Sequence, residues 1–176
     1  MRLNIRLLLL ISLLSLTTAC GFQLRGLSAV SFDSIYLQGA TLSISKGLRD
    51  NLNANHIKIL SSAEGADVLL ELLSEANDKR ILSLSGGGVV REYELFYRVH
   101  YRIRGSHDAL WSAPQTIESR RDYSYTDAAL LAKQEEETRL YENMRSDVLN
   151  NLLRKISRYK PESGTNSDAT LRDKTN

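Results

Sequence analysis

One cysteine, three histidines, no excess charge of either sign and no apolar run of membrane-spanning length mark this 176-residue sequence. A single thiol, Cys20, cannot close a disulfide within the chain, so a disulfide framework is excluded. The apolar run from Leu7 to Leu16 is interrupted by Ser12 and Ser15 and falls well short of the roughly 20 residues that a spanning helix needs. The formal net charge is +2, and loss of Arg2 and Arg6 with an N-terminal leader leaves zero. Nucleic-acid binding normally needs a clear cationic excess and is disfavoured. His56, His100 and His107 have no second ligand-type residue at helical or hairpin spacing, and His100 lies among arginines, so neither a metal nor a cofactor is expected.

Catalytic constellations are also missing. The sequence has no Gly-x-Ser-x-Gly elbow for a serine nucleophile. Gly86-Gly87-Gly88 lacks the Lys-Ser/Thr and the following helix of a phosphate loop, and reads instead as a turn. Glu135-Glu136-Glu137 falls on consecutive helix positions about 100° apart, which cannot converge on one atom, and reads as a solvated face. No enzyme is expected.

What is present begins at the N-terminus. Two arginines, an apolar run and Thr17-Thr18-Ala19 form a secretory leader over residues 1–19. Cleavage after Ala19 makes Cys20 the first residue. The leader, the small residues and the cysteine resemble the bacterial lipobox, with Thr17 where that pattern more often has Leu; the alternative is an ordinary leader with an incidental cysteine. Each buried CH₂ of an acyl chain contributes about 0.8 kcal/mol, so several chains on Cys20 would give a lasting membrane anchor. Gly21 in place of Asp resembles the outer-membrane form of the sorting rule of enteric bacteria.

Residues 20–30 then read as a linker, 31–160 as one domain, and 161–176 as a disordered tail, since Leu171 is the tail's only sizeable apolar residue. Ser34 to Gln38 reads as a strand. Ile44, Leu48 and Leu52 recur at helical spacing after Ser43, a candidate N-cap, and Ile57 to Leu60 reads as a short strand. Strand, helix and strand suggest a crossover with parallel strands. A long strand starts at Val68, with a weak break at Asn77-Asp78 before Ile81. Tyr93, Leu95, Tyr97, Val99, Tyr101 and Ile103 alternate with Glu94, Arg98, His100, Arg102 and Arg104, and Phe96 is the exception. Gln115 to Tyr125 forms a further strand, antiparallel to that one. A helix over 127–159, with Thr126 as candidate N-cap, would be nearly 50 Å long. The expected fold is α+β, a mixed four-stranded sheet with two helices on one face.

Two readings of the basic residues stand side by side. Arg98, Arg102 and Arg104, with Arg120 and Arg121 nearby, present guanidinium forks suited to phosphate or carboxylate groups. Equally, they make a mixed-charge surface with Glu71, Glu94 and Glu118.

Four segments together are similar to the LptE family of lipopolysaccharide-assembly lipoproteins: Cys20-Gly21-Phe22-Gln23-Leu24-Arg25-Gly26, Glu92-Tyr93, Arg120 to Tyr125, and Leu131-Ala132-Lys133-Gln134-Glu135. The resemblance implies a two-helix, four-strand sandwich and a one-to-one complex with the outer-membrane β-barrel LptD. In that complex the domain would plug the lumen, aid barrel assembly and bind lipopolysaccharide. Lys133 matches the family's basic residue at the start of the last helix. A second basic position falls by spacing near Gly86, with Arg80 or Arg91 as its replacement. Lys133, Arg91, Arg98 and Arg102 are the expected lipopolysaccharide contacts, and Cys20 the lipidated residue. A lipoprotein adaptor of another outer-membrane machine shares this fold and differs in partner, and a membrane-anchored periplasmic enzyme is the further alternative.

Overall fold

The alternation that begins at Tyr93 builds the central strand of a computed structural model that describes residues 30–160. The leader, the linker as far as residue 29 and the tail from 161 lie outside the described residues. Strand β4 (Val90–Gly105) buries Leu95, Tyr97, Val99, Tyr101 and Ile103 on one face. It pairs antiparallel with β3 (Val68–Leu84) on one side and β5 (Gln115–Ser124) on the other. β1 (Ser34–Gly39) runs parallel to β3 and also to β2 (Lys58–Leu60), the other edge of the sheet. The order β2-β1-β3-β4-β5 makes a five-stranded sheet, so the expectation of four strands is corrected. The added strand is the short return of the β1–helix–β2 crossover, three residues laid against the outside of β1.

Helix α1 (Ser45–Ala54) brings Leu48 and Leu52, and α2 (Leu130–Ser157) brings Met144, Val148, Leu152 and Ile156, onto the apolar face of the sheet. Gly47 lets the helices approach, because a Cβ there would stand 2.8 Å from Leu149 Cδ2. At 28 residues α2 is about 42 Å long, shorter than the expected helix because Asp127–Ala129 is a 3₁₀ turn. Neither candidate cap closes its helix through its side chain. Ile44 holds the N-cap position of α1 while the Ser43 hydroxyl donates to Glu75, and Thr126 makes no capping bond.

β3 does not break at Asn77-Asp78. Its irregularities lie between Leu72 and Ser74, and again between Ile81 and Leu84. The first inserts one residue and so exchanges the two faces of the strand. Before it, Val68, Leu70 and Leu72 face the helices; after it, Glu75, Asn77, Lys79 and Ile81 pair with Val99, Tyr97, Leu95 and Tyr93 and share their face. The interior therefore grades from aliphatic near the chain entry to polar and aromatic toward the β3–β4 hairpin.

Candidate functional site

On the sheet face away from the helices the basic residues are woven into ion pairs. Arg98 binds both Asp78 and Glu118, Arg102 binds Glu71, and Arg80 and Arg120 converge on the nearly buried Glu94 at 2.5 and 3.1 Å. Arg80 and Arg98 also stack on Phe96, 4.5 and 4.7 Å from its centroid, which explains how that ring is buried on the charged face. Arg121 lies on the opposite face, where it pairs with Asp147 of α2. Glu118 hydrogen-bonds Arg98 and holds its guanidinium above its ordinary pKa. Arg98 and Arg102 are thus cations already engaged by carboxylates.

The hairpin end differs. β1 accompanies β3 only as far as Leu72, so the rest of the β3–β4 hairpin extends beyond it. Ser85 and Val89 close the turn, with Gly88 at φ 79°. Ile81, Leu82, Leu84 and Val89 are 45–59 % exposed, and Leu130 and Leu131 at the start of α2 are 47 and 76 % exposed. An open cleft of about 660 Å³ runs between the hairpin (Ser83, Ser85, Val89, Arg91) and the chain after β5 (Ser124 to Ala128). Arg91 has the strand parity of Tyr93, so it belongs to the helix side of the sheet and is exposed there. Lys133 borders the cleft through one of its lining residues: its Nζ donates to Ser124 Oγ at 3.1 Å and pairs with Glu136 at 2.7 Å, while Glu92 and Asp127 are the acids of the lining.

The structure thus divides the four basic candidates. Arg91 lines the cleft and Lys133 borders it through Ser124, whereas Arg98 and Arg102 lie about 23 and 36 Å farther along β4 from Arg91, on the other face.

Beneath the first turns of α2 lies a cluster that the sequence reading did not find. Lys79 Nζ meets Glu137 at 2.5 Å and sits 4.2 Å from the Tyr93 ring, and the Tyr123 hydroxyl donates to Glu137 at 2.6 Å. Glu137 is therefore no part of a solvated face. Burial would raise its pKa, but the bonds from Lys79 and Tyr123 prevail and hold it low. Burial would lower Lys79, yet the same partners hold it above its ordinary value. Burial, with Glu137 alongside, pushes the Tyr123 phenol up to about 12. At neutral pH the cluster is an ammonium, a carboxylate and a neutral phenol that fix α2 across β3, β4 and β5. Tyr93, stacked on Tyr123 and edge-on to Tyr125, completes it. Tyr93 was visible as core alternation, but Lys79 joins it only because of the bulge after Leu72.

Comparison with known proteins places this geometry. The LptE family model, described as lipopolysaccharide-assembly, matches residues 28–156. The LPS-assembly lipoprotein LptE of Photorhabdus laumondii is 27 % identical over 155 residues, covering 84 % of this chain and 83 % of that protein. The solution structure of an uncharacterized lipoprotein B from Nitrosomonas europaea is 36 % identical with TM-score 0.66, covering 78 % of this chain and 90 % of that one. The crystal structure of the rare lipoprotein B from Shewanella oneidensis is 28 % identical with TM-score 0.64, covering 70 and 92 %. With the match running from the chain entry into the last turns of α2, this chain belongs to the LptE family of lipopolysaccharide-assembly lipoproteins.

Proposed function

We propose that this protein, acylated on Cys20, plugs the lumen of the LptD barrel in a one-to-one complex, aids the assembly of that barrel, and binds lipopolysaccharide at its hairpin end. As a member of a family of assembly lipoproteins it is a structural component of lipopolysaccharide assembly rather than an enzyme. The observation that carries the binding role is the cleft lined by Arg91 and Val89 and bordered by Lys133 through Ser124, at the end of the fold that also exposes Ile81, Leu82, Leu84, Leu130 and Leu131. Lipopolysaccharide presents phosphorylated sugars beside acyl chains, and this end of the fold offers cations beside exposed Leu, Ile and Val. Lys133 also lies in the first turns of α2, where the helix dipole favours an anion. Arg98 and Arg102 would contribute only by exchanging a carboxylate partner for a phosphate. A domain with a charged sheet face suits the polar lumen of a large barrel.

Arg91→Glu and Lys133→Asp are each expected to weaken binding of purified lipopolysaccharide about ten-fold, equivalent to ~1.4 kcal/mol, with the difference shrinking as salt rises. Charge reversal at Lys174, outside the described residues, is expected to change nothing. Unchanged affinity in both folded cleft variants at low salt would remove the binding role. Recovery of the protein as a free monomer, where barrels stay folded, would instead remove the LptD complex and favour an adaptor of another machine.

A further inference from the structure

We infer that the β4–β5 loop, residues 106–114, rests on the phospholipid surface in which the proposed Cys20 anchor sits, with Leu110 and Trp111 entering the headgroup layer. Leu110 is the most exposed large apolar side chain among the described residues, at 81 %. Trp111 follows it and lies under two guanidiniums, with Arg102 and Arg104 at 4.9 and 5.3 Å from the ring. An amphipathic indole beside an aliphatic side chain and basic groups suits the interface between hydrocarbon and phosphates.

The place of this loop in the fold identifies its occupant. Ser106 N donates to Asp67 O at 2.9 Å, while Asp67 Oδ2 accepts from the backbone N–H groups of Asp33 and Ser34. The loop and the chain entry are therefore tied to one residue, at the end of the sheet opposite the hairpin. Cys20 precedes Val30 by ten residues, at most about 35 Å of chain, so an anchored molecule holds this end close to the lipid. The C-terminal end of α2 comes to the same place, because the Tyr159 hydroxyl and Gly105 N both bond Asp108 Oδ2. It brings exposed Lys155 and Arg158. Nearby, Glu71 is engaged by Arg102, whereas Arg104 has no carboxylate partner among the described residues. The exposed acids of this end, Asp33 and Glu64, belong to the β1–β2 side of the sheet. The β4–α2 side thus sets Leu110, Trp111, Arg104, Lys155 and Arg158 against the carboxylate of Asp108, which Gly105 N and the Tyr159 hydroxyl engage, and it matches a lipid surface that carries anionic headgroups.

This inference rests on acylation at Cys20, and one experiment separates the two. Trp111 is the only tryptophan in the sequence, so emission excited selectively in the indole, away from the tyrosines, reports this loop alone. The acylated full mature protein is reconstituted in vesicles of phosphatidylethanolamine and phosphatidylglycerol with a fraction of lipid brominated near the headgroup. Emission is expected to fall by roughly half relative to unbrominated vesicles, as for an interfacial indole. Leu110→Asp, folded by circular dichroism and still floating with the vesicles, is expected to restore most of it. Protein that floats with unquenched Trp111, or quenching that Leu110→Asp leaves unchanged, overturns the loop contact. Protein that fails to float overturns the Cys20 anchor and the inference with it.

Discussion

Gly39 ends β1 with φ 91°, and a Cβ at this position would stand 2.2 Å from the Leu72 carbonyl oxygen, which also accepts the Ala40 N–H at 2.8 Å. Both the dihedral and the contact demand glycine, and neither can relax cheaply because the obstacle is backbone. Gly39→Ala is expected to cost about 3 kcal/mol in urea denaturation. His56 is the reverse case. It follows α1 with φ 61°, the left-handed position beyond a helix end that glycine occupies at least cost. His56→Gly is expected to raise stability by about 1 kcal/mol, and any loss would mean that the imidazole contributes more than its backbone conformation costs. The sequence shows His56 only as a histidine between a helical pattern and a short strand, since its dihedral depends on how the chain must turn into β2.

At the scale of elements, the bulge between Leu72 and Ser74 decides what the hairpin can do. Were Leu73 paired with His100 instead of bulged, Glu75 and Lys79 would fall on the charged face, and Asp78 and Arg80 under α2. Deleting Leu73 closes the bulge and leaves Glu75 opposite Val99 and Lys79 opposite Leu95, so it is expected to cost no more than about 2 kcal/mol. Leu73→Ala, which keeps the count of residues, is expected to cost about 1 kcal/mol. A loss of about 4 kcal/mol or more on deletion would show that the bulged geometry itself, rather than the pairing beyond it, holds Glu75 and Lys79 in place. The periodicity of β4 was legible because its alternation is unbroken over its whole length. That of β3 was not, since one inserted residue changes the meaning of every later position while leaving composition untouched. For the same reason the cleft was half legible. Lys133 and Arg91 stood out as basic residues, but their common side depends on β4 parity and on α2 starting only at Leu130.

Across the whole molecule, three carboxylates hold separate pieces together. Asp67 ties the chain entry, Glu75 ties the approach to α1, and Glu137 ties α2. All three lie below their ordinary pKa. The Ser34 hydrogen bond is the main cause for Asp67, whereas in Glu75 and Glu137 burial opposes the shift and hydrogen bonds overcome it. The stability they contribute is therefore full above the ordinary carboxylate range and is lost as pH falls through it to their lowered values. The melting temperature is expected to be flat near neutral pH and to drop below about pH 4.5. Asp67→Asn should melt lower at pH 7 with a shallower acid slope, and a slope equal to wild type would show that Asp67 has no part in it. By itself the sequence determined the element types, the apolar face of β4 and the family resemblance, because each is written in local periodicity or a contiguous motif. Tertiary structure alone decided that the short strand at Ile57 to Leu60 joins the sheet as its fifth member, that carboxylates engage most of the sheet arginines, that Lys79, Glu137 and Tyr123 form a cluster, and that Arg91 and Lys133 come to the same end of the fold. Those features join residues distant in sequence through register, and strand register is settled by pairing and packing across the sheet rather than by any one segment.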